Sequence, residues 1–190
     1  MEHFYQNIGE PWFGSQKLYS QAVSRCADGA HFVEVGSWKG RSACYMAVEI
    51  INSQKNILFE CVDTWNGSEE HINPASPFFE KEILQDSNYL FNTFKLNILP
   101  VSDTIRPIRM SSIDASKNYF DRSLDFVFID ASHEYENVIS DILHWLPKVK
   151  RGGILSGDDF SDNWPGVKRA VQEILHTDFK LQDCTWVYYK

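Results

Sequence analysis

Short runs of contiguous apolar residues alternate along this chain with longer segments in which apolar positions recur every three or four residues. From Gln16 to Asp28, Leu18, Ala22, Val23 and Cys26 fall on one side of a helix, with Ser15 placed as its N-cap and Gly29 as its stop. HFVEVGS follows as a first strand. Arg41–Ser53, RSACYMAVEIINS, is apolar around much of its circumference, as expected of a helix packed on a sheet. ILFECVDTW supplies a second strand, after which the rhythm breaks. Asn66–Pro100 is a long insertion carrying acidic residues, Pro74, Pro77 and the aromatics Phe78, Phe79, Tyr89, Phe91 and Phe94. Excursions of that length in compact domains are often lids or binding loops.

The rhythm then resumes. TIRPIRM reads as strand three, and Pro107, which has no N–H for a ladder, puts it at an edge. LDFVFID is strand four. Val138, Ile139, Ile142, Leu143 and Leu146 make the next segment an amphipathic helix, RGGILSGDD gives a turn and strand five, and Val167, Ala170, Val171, Ile174 and Leu175 repeat the helical spacing. FKLQD and TWVYYK close the chain as an antiparallel hairpin. Strands alternating with helices predict right-handed crossovers and a doubly wound α/β domain of Rossmann-like form. With strand three at an edge, the order is 3-2-1-4-5, and EVGS and FIDAS face each other across the reversal, where ligands of such sheets bind.

No repeat or linker divides the 190 residues, so the expectation is one domain, with an N-terminal cap segment over about 1–15 and a lid-like insertion over about 66–100. A net charge of -8 without a basic cluster disfavours nucleic acid and anionic membrane as partners and points to a small molecule. Cys26, Cys44, Cys61 and Cys184 form no C-x-x-C pair, and Cys44 and Cys61 sit in apolar segments. They read as reduced thiols of a cytoplasmic protein. The first residues lack the pattern of a secretion signal, and no apolar run has the length of a membrane span.

The candidate chemistry lies at the predicted strand ends. In EVGSWKGRS, Gly36 and Gly40 allow close backbone approach, and Ser37 and Ser42 place hydroxyls near a helix N-terminus that favours anions. Any βα turn favours glycine too, and the G-x-G-x-x-G of dinucleotide binders is absent. Asp63 ends strand two, where a carboxylate accepts hydrogen bonds from ribose hydroxyls or serves a solvated turn. Asp130, Asp158 and Asp159 end the adjacent strands four and five. Three convergent carboxylates repel one another unless a hard cation such as Mg2+ joins them, although the same residues equally suit a turn cap and a helix start. His133 stands three residues beyond Asp130, as a base or as a structural hydrogen-bonding residue.

Taken together, EVGSWKGRS, CVDTW, RMSSID, FIDASHEY and RGGILSGDD resemble the class I S-adenosylmethionine-dependent methyltransferases over nearly the whole chain. Within them the chain most resembles the metal-dependent O-methyltransferases, particularly the macrocin-type sugar O-methyltransferases, and the catechol O-methyltransferases share the layout. The resemblance implies that Gly36, Ser37 and Ser42 hold the methionine end of S-adenosylmethionine, with Glu34 supporting it and Gly40 completing the turn. It implies that Asp63 takes the ribose, that Ser112 and Ile113 border the adenine, and that Asp130, Asp158 and Asp159 hold the metal. It also makes His133 the base, as a neutral imidazole next to Asp130. A metal-stabilised alkoxide, deprotonated by imidazole, is what a weakly acidic hydroxyl needs before methyl transfer.

The implied activity is Mg2+-assisted O-methylation of a small hydroxylated acceptor such as a sugar or polyketide glycoside, by a chain whose homo-oligomerisation is left open. The competing classes are a nucleotide-dependent oxidoreductase, which the missing glycine fingerprint disfavours, and a non-catalytic cofactor-binding protein, which has no need of three aspartates. A nucleophile-elbow hydrolase fails on GILSGD, which is not G-x-S-x-G. Around the site, Tyr135 reads as an early-helix aromatic and His71 as a solvated loop residue. Trp12-Phe13 and the insertion aromatics suit either a water-excluding cover or satellite packing. Trp164 suits the acceptor pocket or the first turn of the last helix.

Overall fold

The computed structural model describes residues 1–190. Helix α1 (Gln16–Arg25) precedes strand β1 (His31–Val35), helix α2 (Arg41–Ser53) and strand β2 (Leu58–Asp63). The insertion holds three helices, α3 (Glu69–Ile72), α4 (Lys81–Gln85) and α5 (Tyr89–Asn97), before strand β3 (Ile105–Arg109). Then come α6 (Ser112–Ser116), β4 (Leu124–Ile129), α7 (Tyr135–Trp145), β5 (Val149–Gly157), α8 (Pro165–Leu175), β6 (Phe179–Gln182) and β7 (Thr185–Tyr189). No helix is long and apolar enough to cross a membrane.

The seven strands form one sheet in the order β3-β2-β1-β4-β5-β7-β6, parallel except for the antiparallel β7 and its hairpin partner β6. Pro107 lies on the edge strand β3, opposite Cys61 of β2, where its missing N–H leaves no second neighbour unpaired. The predicted reversal is present: β1 pairs with β2 on one side and β4 on the other, with Val35 level with both Val62 and Ile129.

Period-2 alternation sorts the sheet residues into two cores. Phe32, Phe59, Phe126 and Phe128 point to the side of α1, α2 and α5, where they meet Tyr19, Met46 and Phe94. Val33, Val35, Val62, Val127, Ile129 and Leu155 point to α7 and α8, against Ile142, Trp145 and Val171. Much of the aromatic excess is therefore packing on the first face. Phe94 and Leu90 of α5 are buried in that same core, so the C-terminal part of the insertion packs as a crossover helix between β2 and β3.

Two local expectations are corrected. Arg151-Gly152-Gly153 is not a turn before β5 but part of the strand. Gly152 adopts φ +79°, and the pairing with β4 shifts between Leu124 and Phe126, as at a bulge. Ser15 precedes α1 but makes no side-chain cap. Its hydroxyl lies 2.6 Å from Thr185 Oγ1 and donates to Asp158 Oδ2 at 3.2 Å, tying the start of α1 to the end of β5 and the start of β7.

Candidate active site

The carboxyl ends of β1, β4 and β5 meet at the reversal. Asp130 N–H donates to Val35 O at 2.7 Å and Asp158 N–H to Ile129 O at 3.3 Å, so the strand-end turns follow one another in space. Gly36 sits there at φ +84°, and a Cβ on it would come within 2.0 Å of Asp130 O. Gly40 is also left-handed, at φ +91°, and its missing side chain makes room for Phe94 and Ile98. Both glycines were expected to let the backbone approach a ligand closely. In the structure the position a side chain would occupy is taken by protein atoms, Asp130 O at Gly36 and Phe94 and Ile98 at Gly40.

Asp63 also has a local task. Its Oδ2 accepts the N–H groups of Ser37 at 2.9 Å and Trp38 at 3.0 Å, and its Oδ1 accepts that of Trp65 at 2.7 Å. A carboxylate expected to meet a ribose thus knits the β1–α2 turn to the end of β2. Burial raises its pKa in spite of these backbone donors. The hydroxyl of Ser37, by contrast, is buried without any hydrogen-bond partner, an unmet polar group at the heart of the turn. Ser42 is buried nearby in the first turn of α2.

Glu34 is 1% exposed on the aromatic face of β1, where Tyr19 Oη donates to its Oε2 at 2.8 Å. Burial, opposed by hydrogen bonds, pushes its pKa up from 4.5 to about 7. The folded protein therefore retains this proton where the unfolded chain has lost it, and stability falls as pH rises from about 4.5 to 7. Glu34→Gln keeps an acceptor for Tyr19 without the charge. It is expected to gain stability on the wild type between pH ~5 and ~8, on the order of 2 kcal/mol, because only the wild type loses stability as its raised carboxyl ionises. Denaturant midpoints at the two pH values check this, and parallel pH profiles for the two proteins would refute it.

Ser112 and Ile113 begin α6, whose N-cap is Ser111. The Ser112 hydroxyl donates to Asp141 Oδ1 and accepts from Trp145 Nε1 at 2.8 Å, which commits it to α7. Ile113 remains half-buried beside it.

Asp130, His133 and Asp159 each bring a ligand atom to one place, all within 4.8 Å of one another. Asp158 was expected in this group as a third carboxylate. Its oxygens instead accept from Ser15 at 3.2 Å, from Thr185 at 3.3 Å and from the Asp159 N–H at 3.0 Å, and this net of donors holds it behind the cluster. It still acts on Asp130: burial first, then the charges of Asp158 and Asp159, raise the Asp130 pKa far above the usual carboxylate range.

His133 replaces Asp158 in the group. Its Nε2 lies 2.8 Å from Asp159 Oδ2, and its Nδ1 lies 3.1 Å from Glu70 Oε1. Burial opposes a charged ring, but the hydrogen bonds and charges of Asp159 and Glu70 outweigh it and hold the pKa up at about 10. The imidazole expected to be neutral is a doubly hydrogen-bonded cation here, because two acceptor-only carboxylates face its two nitrogens. Glu70 escaped the sequence reading. The only available signal was its place in SEEH, four residues in which Ser68 and His71 form the capping box of α3.

An aromatic roof adjoins the cluster. Trp164, at the N-terminus of α8, stacks on His133 with ring centres 3.8 Å apart, and Phe78 stands 6.1 Å from Trp164. Trp12 meets Phe78 edge-on at 5.7 Å, while Phe13 turns away to pack on Tyr19 at 5.0 Å. His71 is not solvated as expected. It is buried and stacked on Trp38 at 4.0 Å, where capping of α3 and the flat indole account for both faces of its environment. Tyr135 hydrogen-bonds Glu173 at 2.6 Å and lies under Arg169, so it serves the α7–α8 contact. Lys39 joins the cap, turn and insertion by binding Glu10 at 2.8 Å and Glu80 at 2.6 Å.

Against known proteins, residues 33–160 match the family described as "Methyltransferase domain". An uncharacterised protein, R132 of Acanthamoeba polyphaga mimivirus, is 32% identical over 155 residues, 78% of this chain. The chain spans 60% of that relative's length. Among solved structures, the O-methyltransferase NovP is similar over 92% of this chain and 78% of its own, at TM-score 0.62 and 18% identity. The calicheamicin methyltransferase CalS11 gives 92% and 77%, 0.63 and 14%. A putative caffeoyl-CoA O-methyltransferase from Staphylococcus aureus gives 96% and 85%, 0.62 and 14%. At these identities the three structures show a shared fold.

Proposed function

Because the chain belongs to the methyltransferase-domain family, and its sheet is that of the class I S-adenosylmethionine-dependent enzymes, we propose that it is an O-methyltransferase assisted by a hard divalent cation, Mg2+ first, and acting on a hydroxyl of a small acceptor such as a sugar or polyketide glycoside. The observation that carries this reading is the gathering of Asp130, His133 and Asp159 at the carboxyl ends of the adjacent strands β4 and β5. The similarity to NovP and to CalS11, the latter described as a TDP-rhamnose 3'-O-methyltransferase, favours oxygen and a sugar.

The residues fit both groups. Asp130, whose charge is opposed by burial and by the charges of Asp158 and Asp159, would be relieved by a cation shared with Asp159, and the unpartnered Ser37 hydroxyl in the β1–α2 turn is a polar gap that the amino-acid end of S-adenosylmethionine would fill. Glu34 and Ser42 support that end. Asp63 keeps the turn in shape and retains acceptor capacity for a ribose hydroxyl, and Ile113 borders the adenine. When bound, the donor supplies a sulfonium methyl that leaves sulfur as the new oxygen–carbon bond forms, and the cation lowers the pKa of the acceptor hydroxyl.

The chain's own residues do the remainder. Asp130 and Asp159 would hold the cation, with Asp158 behind them adding negative charge. Were Asp159 engaged by a cation, the His133 imidazolium would lose the partner at Nε2 that favours its charge; once its Nε2 proton is released to water, the bare nitrogen could take the hydroxyl proton. Trp164 keeps the imidazole plane fixed by stacking, and Trp12 and Phe78 screen the site from water. Alignment of oxygen, methyl and sulfur by these walls is worth about 7–11 kcal/mol.

The test is incubation of the purified protein with methyl-labelled S-adenosylmethionine, Mg2+ and a panel of glycosides, polyols and catechols. Label is expected on a hydroxyl oxygen, with transfer abolished by EDTA and restored by added cation. Transfer that persists in EDTA would refute the metal, and label on nitrogen or carbon would refute O-methylation.

A further inference from the structure

Glu70 is placed to act on the base from outside the strand ends. It lies on α3 of the insertion, more than sixty positions from His133, yet its Oε1 is 3.1 Å from His133 Nδ1. The side chain is about one-fifth exposed, as is that of His133. It is steadied by its own helix, since Ser68 Oγ donates to the same Oε1 at 3.0 Å and also lies 2.6 Å from His71 Nδ1. His71 in turn stacks on Trp38 of the β1–α2 turn. One short helix therefore touches both lips of the crevice: through His71 at the end of β1, and through Glu70 at the end of β4.

We infer that Glu70 is a positioning residue for His133, accepting the Nδ1–H so that the ring is held in the tautomer and orientation that present Nε2 to the acceptor hydroxyl. The inference rests on the methyl-transfer reading above. Its chemical basis is general: a neutral imidazole has one N–H, and a carboxylate facing Nδ1 keeps the proton on that nitrogen and the lone pair on the other. Trp164 restricts the plane of the ring but is indifferent to rotation within it, so a directional acceptor at Nδ1 supplies what stacking lacks. Because Glu70 comes from the insertion, placement of α3 and readiness of the base become one event.

Two measurements test this on the intact protein. In the cation-free protein with 15N-labelled histidine, His133, assigned through His133→Asn, is expected to show two protected ring N–H signals. Glu70→Ala is expected to remove the Nδ1–H signal by exchange with water and leave Nε2–H. This readout stands even if no acceptor is methylated, which separates failure of the inference from failure of the enzymatic reading. In the methylation assay Glu70→Ala is expected to lower kcat about 10- to 100-fold, as loss of a partner behind a working histidine does, with KM and donor affinity little changed. Glu70→Gln, which keeps an acceptor oxygen, is expected to recover most of that loss, and Glu70→Ala is expected to cost nothing further in a His133→Asn background. A persistent Nδ1–H signal in Glu70→Ala, or an equal loss of kcat with and without His133, would overturn the assignment.

Discussion

Replacing Asp130 with asparagine is expected to lower methyl transfer on the order of 10³-fold and to remove detectable divalent-cation binding, while the protein stays folded. Asp130 is the innermost member of the cluster, and its ionised form is opposed by burial and by the charges of Asp158 and Asp159. That opposition is the measure of how much a cation gains by binding there. Asparagine matches the shape, leaves the backbone link from Asp130 N–H to Val35 O untouched, and removes the charge. The sign for stability follows. A carboxyl whose folded pKa is raised loses stability for the protein as pH climbs above its unfolded value, so the asparagine variant should melt at or above the wild-type temperature at neutral pH without added metal. Calorimetric titration with Mg2+, alongside thermal melts and labelled transfer, reads all three quantities. Wild-type cation affinity in Asp130→Asn would defeat the proposed metal site.

The second large effect is expected at His133. His133→Asn should lower kcat roughly 10²–10⁴-fold, the usual contribution of a placed general base, while the donor binds as before. The ring stacks on Trp164 and bridges Asp159 and Glu70, so its loss also leaves two carboxylates without their shared partner. Asparagine rather than alanine retains some hydrogen bonding and limits that disturbance. A parallel binding titration with S-adenosylmethionine separates the chemical step from the donor site. Retention of wild-type kcat would remove His133 from the reaction and shift attention to another acceptor for the proton.

The two effects draw on parts of the chain that were unequally visible beforehand. Asp130 announced itself because an apolar run, LDFVFI, stopped abruptly on a carboxylate. Pro107 announced the sheet edge because a residue without an N–H cannot sit between two strands. Glu70 gave no such sign: a glutamate among SEEH in a long insertion looks like solvated surface, and its reach to His133 depends on how residues 66–100 fold back. Asp158 misled in the opposite direction. Its adjacency to Asp159 suggested a shared ligand set, but neighbouring residues leave a strand end in different directions. Asp159 turns to φ +64° and meets His133, whereas Asp158 is held by Ser15 and Thr185. Gly36 and Gly40 stand at positive φ with Asp130 O and Phe94, atoms remote in sequence, where a side chain would be.

The sequence by itself determined the sheet order, the two-faced core and the strand ends at which Asp130, His133 and Asp159 gather. These follow from hydrophobic period, chain chirality and the lack of an N–H on proline, all of which act over a few residues or apply to every chain. Only the tertiary structure decided which carboxylate faces His133, which one stands behind, and what fills the space beside each glycine. Those outcomes depend on side-chain directions at distances of about 3 Å between segments far apart in the chain, where hydrogen-bond geometry and burial choose among acids that look equivalent when written in a row.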